Sequence, residues 1–578
     1  MTMTSSPVAR SLLPRRAGRP WLPGGGVAMA ALVAALAFLT LLPIGMLFYG
    51  SLHTTQPGLP GALTLDGYRK VFTPANLELL WATVQIAIAT TGIAFVGATL
   101  LAWIIARTDT PGRRVLEILI TFPVFIPPIL SSTAWGMLGN PQVGVFNLAW
   151  TALTGSETPI VNIYSWWGVV WLISQISTAF LFMFLVDNFR AVDPSLEEAS
   201  RMAGAGQFQT FFRITGILLL PALTNCFLLS FIRGLESFEP ALIYGSQAGI
   251  RMLATQVYLS ITQEGTPDYQ YATALGFALI VLMFVLVSLQ WRILRGRSFQ
   301  TVSGKGFNPR PITLGRWRWL TFALCAVYVM LAVIAPVTQM FIGTFFEYFG
   351  YYYLDMLTLQ HWREVLYDRE FWAVLGNTML LGLIGASVTM AIGSAVSYTI
   401  VRLRTRSARI VEALAWLPYM MPGIVLGVGF LWTFALMPSS VPIYGTIWAL
   451  IIANVTLSTP LSVRLMSASF AQLAVDLEEA SRVAGASWLA TQWRITIALA
   501  WPSFMVGWIL IFFGILRELS AAMLLYSAGS ETLSILLFRL WNDGQVEQVS
   551  VIGLILLALV VLLRVVQHRF LVRGVKGV

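Results

Sequence analysis

The 578 residues are 57% hydrophobic and only 11% charged, and the mean hydropathy is +0.76. A soluble globular protein of this length needs a far more charged surface, so that class is excluded. The net charge of +10 raises nucleic acid as a partner, but the placement of the basic residues assigns them to membrane orientation, with no nucleic acid.

Residues 1–26 are rich in Arg, Pro and Gly (Arg10, Arg15, Arg16, Arg19) and read as a cytoplasmic tail. The apolar run from Val27 to Gly50 is too long for a signal-peptide core, and no clean small-residue cleavage site follows. It is therefore a retained first span. Further apolar runs lie near 80–106, 116–138, 166–186, 216–244 and 271–293, each long enough to cross a bilayer as a helix. They complete a first half, 27–293. A basic linker at 294–318 carries Arg295, Arg297, Lys305, Arg310 and Arg316. The second half, 319–578, repeats the pattern near 319–345, 371–401, 411–437, 445–467, 498–527 and 549–567. The expectation is an all-α polytopic membrane protein of about 12 transmembrane helices, in two homologous six-helix halves related by a pseudo-two-fold axis.

The positive-inside rule orients it. Of 36 Lys and Arg, only Arg69, Lys70, Arg251, Arg363, Arg369 and Arg539 fall in loops assigned outside. Arg233 and Arg517 fall inside spans, and the rest lie in cytoplasmic segments or at span ends. Both termini are therefore cytoplasmic. Cys226 and Cys325 sit in apolar runs, and His53, His361 and His568 are scattered, so no Cys/His metal site is expected. No Walker A glycine–lysine loop is present either.

A polar stretch stands out. LEEASRMAGA at 196–205 returns as LEEASRVAGA at 477–486, 281 positions later. The same offset carries Arg213, Ile214, Thr215 and Pro221 onto Arg494, Ile495, Thr496 and Pro502. Arg107 and Pro123 return as Arg402 and Pro418 at an offset of 295. The first half thus holds 14 extra residues, which the outward loop near 139–165 accommodates. With six spans per half the copies share one orientation, which makes them parallel repeats.

Both copies fall on the cytoplasmic side between the fourth and fifth spans of their half. Ser195 with Glu198, and Asp476 with Glu479, have capping-box spacing. Glu197 and Arg201, and Glu478 and Arg482, are four apart and are expected to pair on an exposed face. Ala199 and Ala203 form a small-residue stripe, and Gly204 and Gly485 end the helices. A partnerless amphipathic helix on the membrane surface would bury large residues instead. The repeated spacing and the alanine face favour a docking element.

At these residues the chain resembles the EAA loop of binding-protein-dependent ABC transporter permeases, with Ser200 and Ser481 at a position that usually holds Ala. The resemblance implies that Glu198, Ala199 and Gly204 dock one ATPase subunit and Glu479, Ala480 and Gly485 a second copy. It implies ATP-Mg on those partners, no cofactor on this chain, no catalytic residue, a periplasmic solute-binding protein, and residence in the lipid bilayer of the inner membrane. Two fused halves, with Arg517-Glu518-Leu519-Ser520, resemble the ferric-iron permease subfamily. Thiamine permeases are similar in layout, and a small organic anion such as a phosphonate is a further cargo. The rival from another class is an ion-coupled secondary transporter.

Ionisable groups inside spans mark a pathway or an internal pair. Arg233, Glu236 and Glu239, at i, i+3 and i+6, are expected on one face of the fifth span. Arg517 and Glu518, with Ser520, occupy a similar place in the eleventh. They either line a hydrophilic passage or neutralise each other. The tyrosines of EYFGYYYLD (347–355) suit a hard cation such as ferric iron, but beside a span end they read first as interface anchors. Pro123, Pro127 and Pro128 in the third span, and Pro418 and Pro422 in the ninth, are hinges or simply shape the bundle.

Overall fold

The computed structural model describes residues 25–262, 265–294, 311–403, 405–438 and 440–575. Residues 1–24 and 295–310, with most of the basic tail and linker, lie outside the described residues. The described chain is helical, and its only strand-like pairings are three isolated bridges.

The first half runs through α1 (Gly25–Leu52), α2 (Pro74–Arg107), α3 (Arg113–Phe125), α4 (Pro128–Gly139), α5 (Val145–Thr154), α6 (Trp166–Ala191), the short α7 (Pro194–Met202), α8 (Phe211–Leu235) and α9 (Tyr269–Leu294). The second runs through α10 (Gly315–Gly343), α11 (Arg369–Arg402), α12 (Arg406–Met420), α13 (Gly423–Ala435), α14 (Ile447–Gln472), the short α15 (Val475–Val483), α16 (Trp488–Leu516) and α17 (Val546–Val575). Among the described residues nine helices are long and apolar enough to cross a membrane, or eleven if each bent pair is one span. The twelfth expected span falls on α17.

The third and ninth expected spans are corrected. Each is a pair of helices, α3 with α4 and α12 with α13, bent by 102° and 111°. The cause is proline at the break. Pro127 and Pro128, and Pro422, have no N–H to continue the ladder, and each break restarts on proline or glycine. The extra residues of the first half build α5; the described residues between α13 and α14 hold no helix.

Each half lends its first span to the other. α1 packs along α12 and α13, and α10 packs along α3, α4 and α17. The contacts are close enough to need glycine. A Cβ on Gly50 of α1 would meet the Trp432 ring at 2.6 Å, and one on Gly343 of α10 would meet Met137 at 2.5 Å. This exchange is reciprocal, as a two-fold relation requires, and one hydrophobic core runs through both halves.

Candidate functional site

The two motif copies form α7 and α15, and both depart from the expected capping. α7 is capped by Asp193, whose carboxylate accepts from the Ser195 N–H at 2.9 Å. Pro194 opens the helix, so Ser195 is already inside it. α15 has no side-chain cap, and Asp476 lies in its first turn. In α7 proline at the first position fixes the entry geometry that the capping box was expected to supply, whereas α15 opens on Val475.

The expected surface pair of Glu197 with Arg201 is also corrected. Glu197 turns inward and its carboxylate pairs with Arg107, the last residue of α2; the two side chains are 8% and 3% exposed. Glu197 also accepts from Thr215 Oγ1 at 2.7 Å, and Arg201 reaches only the Glu197 carbonyl oxygen, at 3.4 Å. Glu478 does the same in the second half, pairing with Arg402 at the end of α11 at 2.9 Å. Each arginine also donates to a backbone carbonyl just before its short helix, Val192 for Arg107 and Leu473 for Arg402, both at 3.1 Å. Every short helix is therefore clasped to the end of the second span of its half. Burial of these charges is tolerated because each arginine meets both a carboxylate and a backbone carbonyl, and Glu197 also accepts from Thr215.

The side chains left outside are the docking candidates. Glu198, Ala199 and Gly204, and Glu479, Ala480 and Gly485, are all exposed. Neither Glu198 nor Glu479 has a hydrogen bond or ion pair among the described residues. Gly204 and Gly485 both adopt φ +87, as expected, and the turn closes identically. The Ala205 N–H bonds to the Ser200 carbonyl, and the Ala486 N–H to that of Ser481, both at 3.1 Å. This left-handed turn is favoured by glycine. A Cβ at either position meets nothing within 4 Å, so substitution tests conformation alone. Gly204→Ala with Gly485→Ala should weaken each turn by about 1–2 kcal/mol. Faster amide hydrogen exchange confined to these turns would register it.

The unusual serine is explained. Ser200 Oγ bonds Thr210 Oγ1, and Ser481 Oγ bonds Thr491 Oγ1, both at 3.0 Å. The serine locks each short helix to the start of the next segment. That segment begins with one short α-helical turn, Gln207–Thr210 or Trp488–Thr491, and then widens into a π-helical turn in both copies, Phe211–Thr215 and Gln492–Thr496. The copies differ beneath it. In the first half Trp103 packs edge-on against Phe211. In the second, Tyr398 donates to Glu478 at 3.1 Å and accepts from Gln492 at 3.0 Å. Among the described residues, the inter-half linker also touches one copy only. Ile312 bridges to Thr108, and the Leu314 N–H donates to Asp109 at 2.9 Å. Ile312 lines a small cavity with Glu197 and Arg201.

The second candidate group lies between the halves and is corrected in shape. α8 stops at Leu235 and α16 at Leu516. Arg233 lies in the last turn of α8, Glu236 caps it, and Glu239 lies beyond, so the three do not share a helix face. A second correction concerns Glu518, whose carboxylate caps a turn. It accepts from Ser520 Oγ at 2.7 Å and from the N–H groups of Ala521 and Ala522 at 2.8 and 3.3 Å. The Glu518 carboxylate thus satisfies backbone N–H groups just past the end of α16. Arg517 crosses to the other half and donates to the Val124 carbonyl at the bend between α3 and α4. Glu239 interacts electrostatically with Glu518 and Arg517.

Sequence reasoning missed several residues. Arg464 was expected at the inner end of a span. It sits inside α14, eight residues before Gln472, about 12 Å along the axis. Its Cζ lies 5.2 Å over the ring of Phe184, and that of Arg233 lies 4.6 Å over Phe180; both rings belong to α6. The clasp glutamates Glu197 and Glu478 were read as surface residues. The repetition of Arg107 and Arg402 was the signal that could have found their partners. The tyrosine segment gathers no ligand set. Tyr348, Tyr351 and Tyr353 are exposed, Tyr352 bonds with Gln339 at 2.9 Å, and no group of three or more His, Cys, Asp or Glu forms among the described residues.

The profile of the binding-protein-dependent transport system inner membrane component family matches residues 98–298 and 387–577. A ferric transport system permease protein of Actinobacillus pleuropneumoniae is 30% identical over 382 residues, covering 65% of this chain and 54% of that protein. An Fe(3+)-transport system permease protein of Haemophilus influenzae is 24% identical, covering 88% of this chain and 92% of that one. A sulfate transport system permease protein of Escherichia coli is 23% identical, covering 44% of this chain and 84% of that one. The chain spans about half the length of the first curated relatives it matches.

Proposed function

The chain belongs to the family of binding-protein-dependent transport system inner membrane components, and from that premise we propose that it forms the translocation pathway of an ATP-driven importer. It performs no covalent chemistry. Two copies of an ATPase subunit, holding ATP-Mg, seat on α7 and α15 through Glu198, Ala199, Gly204, Glu479, Ala480 and Gly485. An extracytoplasmic binding protein delivers the cargo from outside, and both termini face the cytoplasm.

The observation that carries this reading is the pair of clasped helices. A helix tied by a buried ion pair to the end of a membrane span transmits displacement to that span, because neither partner can leave without stranding a charge. The exposed carboxylates have no partner among the described residues. ATP-driven closure of the two partners would then push α2 and α11, and the bent pairs would take up the motion as hinges.

Ferric iron is the cargo, supported by the relatives that cover 65% and 88% of the chain. A second reading, a small oxyanion, is favoured by the sulfate permease relative. Cells producing the chain with its ATPase and binding protein should accumulate radiolabelled ferric iron in an energy-dependent way. Accumulation of sulfate alone would favour the second reading, and accumulation of neither would refute both.

A further inference from the structure

We propose that Arg233 and Arg464 form a binding site for the oxygen atoms of an anion in the passage between the halves. This inference rests on the reading of the chain as a translocating permease and names the charge of what crosses it.

The two guanidinium groups come from opposite halves, Arg233 on α8 and Arg464 on α14, yet they stack on rings one turn apart on the same helix. The Phe180 and Phe184 rings are 5.0 Å apart. Both arginines are exposed, and neither has a carboxylate within ion-pair distance among the described residues. Glu236 feels the field of Arg233 without pairing with it, and Tyr419 lies in the field of both arginines. Arg464 opens on a cavity of about 200 Å³ lined also by Asn225, Gln290, Trp291, Trp416 and Tyr419. Asn225 and Gln290 bond across it at 2.9 Å.

An arginine within a membrane span is costly and faces the bundle interior or water, usually with a partner. These two pack on the rings of α6, Arg233 beside a small cavity that Arg517 also lines, and neither has a carboxylate partner among the described residues. One face of each guanidinium lies on an aromatic ring, which leaves the in-plane N–H groups to a ligand. That planar fork matches oxyanion and carboxylate oxygens. Nor are these arginines part of the repeated scaffold. The clasps recur in both halves, whereas the repeat places Gly514 opposite Arg233 and Met183 opposite Arg464. A bare ferric cation would be repelled here. The cargo crosses as an anion, either a free oxyanion or a metal ion enclosed by anionic oxygen ligands.

Calorimetric titration of the purified full chain in lipid nanodiscs, with sulfate, phosphate and ferric citrate in separate arms at constant ionic strength, tests this. At least one probe should bind saturably. Arg233→Gln with Arg464→Gln should weaken that binding at least about tenfold, whereas Arg233→Lys with Arg464→Lys, which keeps both charges but loses the planar fork, should fall between that variant and the original. Binding of sulfate or phosphate marks a free oxyanion; binding of ferric citrate alone marks an enclosed metal. No saturable binding of any probe, or equal binding by the glutamine variant, overturns the proposal. The titration needs no ATPase, so its failure leaves the coupling reading standing. An unchanged melting temperature of the glutamine variant separates lost binding from lost fold; if it melts lower, the lysine variant against wild type decides, since it keeps both charges.

Discussion

Replacing Glu198 and Glu479 together by arginine should release the ATPase subunits from the membrane chain while its melting temperature stays within a degree or so of the original. Both side chains are exposed and make no hydrogen bond or ion pair among the described residues, so the fold loses none of these contacts. A charge reversal inside a protein interface costs about 2–5 kcal/mol per site, and two sites act on one assembly. Affinity capture of the ATPase by the tagged chain should therefore fall by at least about thirtyfold. Retention of the ATPase at the original level would show that these glutamates do not face it.

The second large effect is expected one layer deeper. Arg107→Ala leaves the Glu197 carboxylate buried, with only Thr215 as a hydrogen-bond donor. Breaking a buried pair from one side costs about 3–5 kcal/mol. Arg402→Ala should cost less, because Glu478 keeps the hydrogen bond from Tyr398 and its side chain is 13% exposed. The signature is partial rescue: Arg107→Ala with Glu197→Gln should be more stable than Arg107→Ala alone, since the stranded charge is gone. Thermal unfolding ranks the three variants. ATP hydrolysed per cargo molecule should rise in both Arg107 variants, because α7 no longer moves with α2. Equal stability of the single and double variants would contradict the clasp.

The spans were legible because apolar runs of this length have few other uses. The repeat was legible because two copies in one chain supply their own comparison. The turn at Gly204 and Gly485 was legible too, since glycine ahead of a new helical segment has a local cause. What failed depended on partners distant in sequence. Glu197 and Glu478 look like surface residues when only their own helix is considered; Arg107 and Arg402, some 76–90 residues earlier, draw them inward. The two repeats run at different offsets, 281 and 295, which separated each arginine from its glutamate. Prolines announced a kink in the third and ninth spans, but hydropathy averages over a bend and cannot give its angle. The helix ends at Leu235 and Leu516 were hidden because apolar residues continue past them into separate, buried short turns, Ala241–Gly245 and Ala522–Leu525. Arg464 escaped because a basic residue near a span end normally belongs to the cytoplasm, whereas this helix continues inward.

The most direct measurement is solute uptake by sealed vesicles containing the purified chain, with and without its ATPase and ATP. Accumulation against a gradient is expected only when the ATPase is present and hydrolysing. Uphill accumulation by the chain alone, driven by an ion gradient, would mean that α7 and α15 are not where the energy enters.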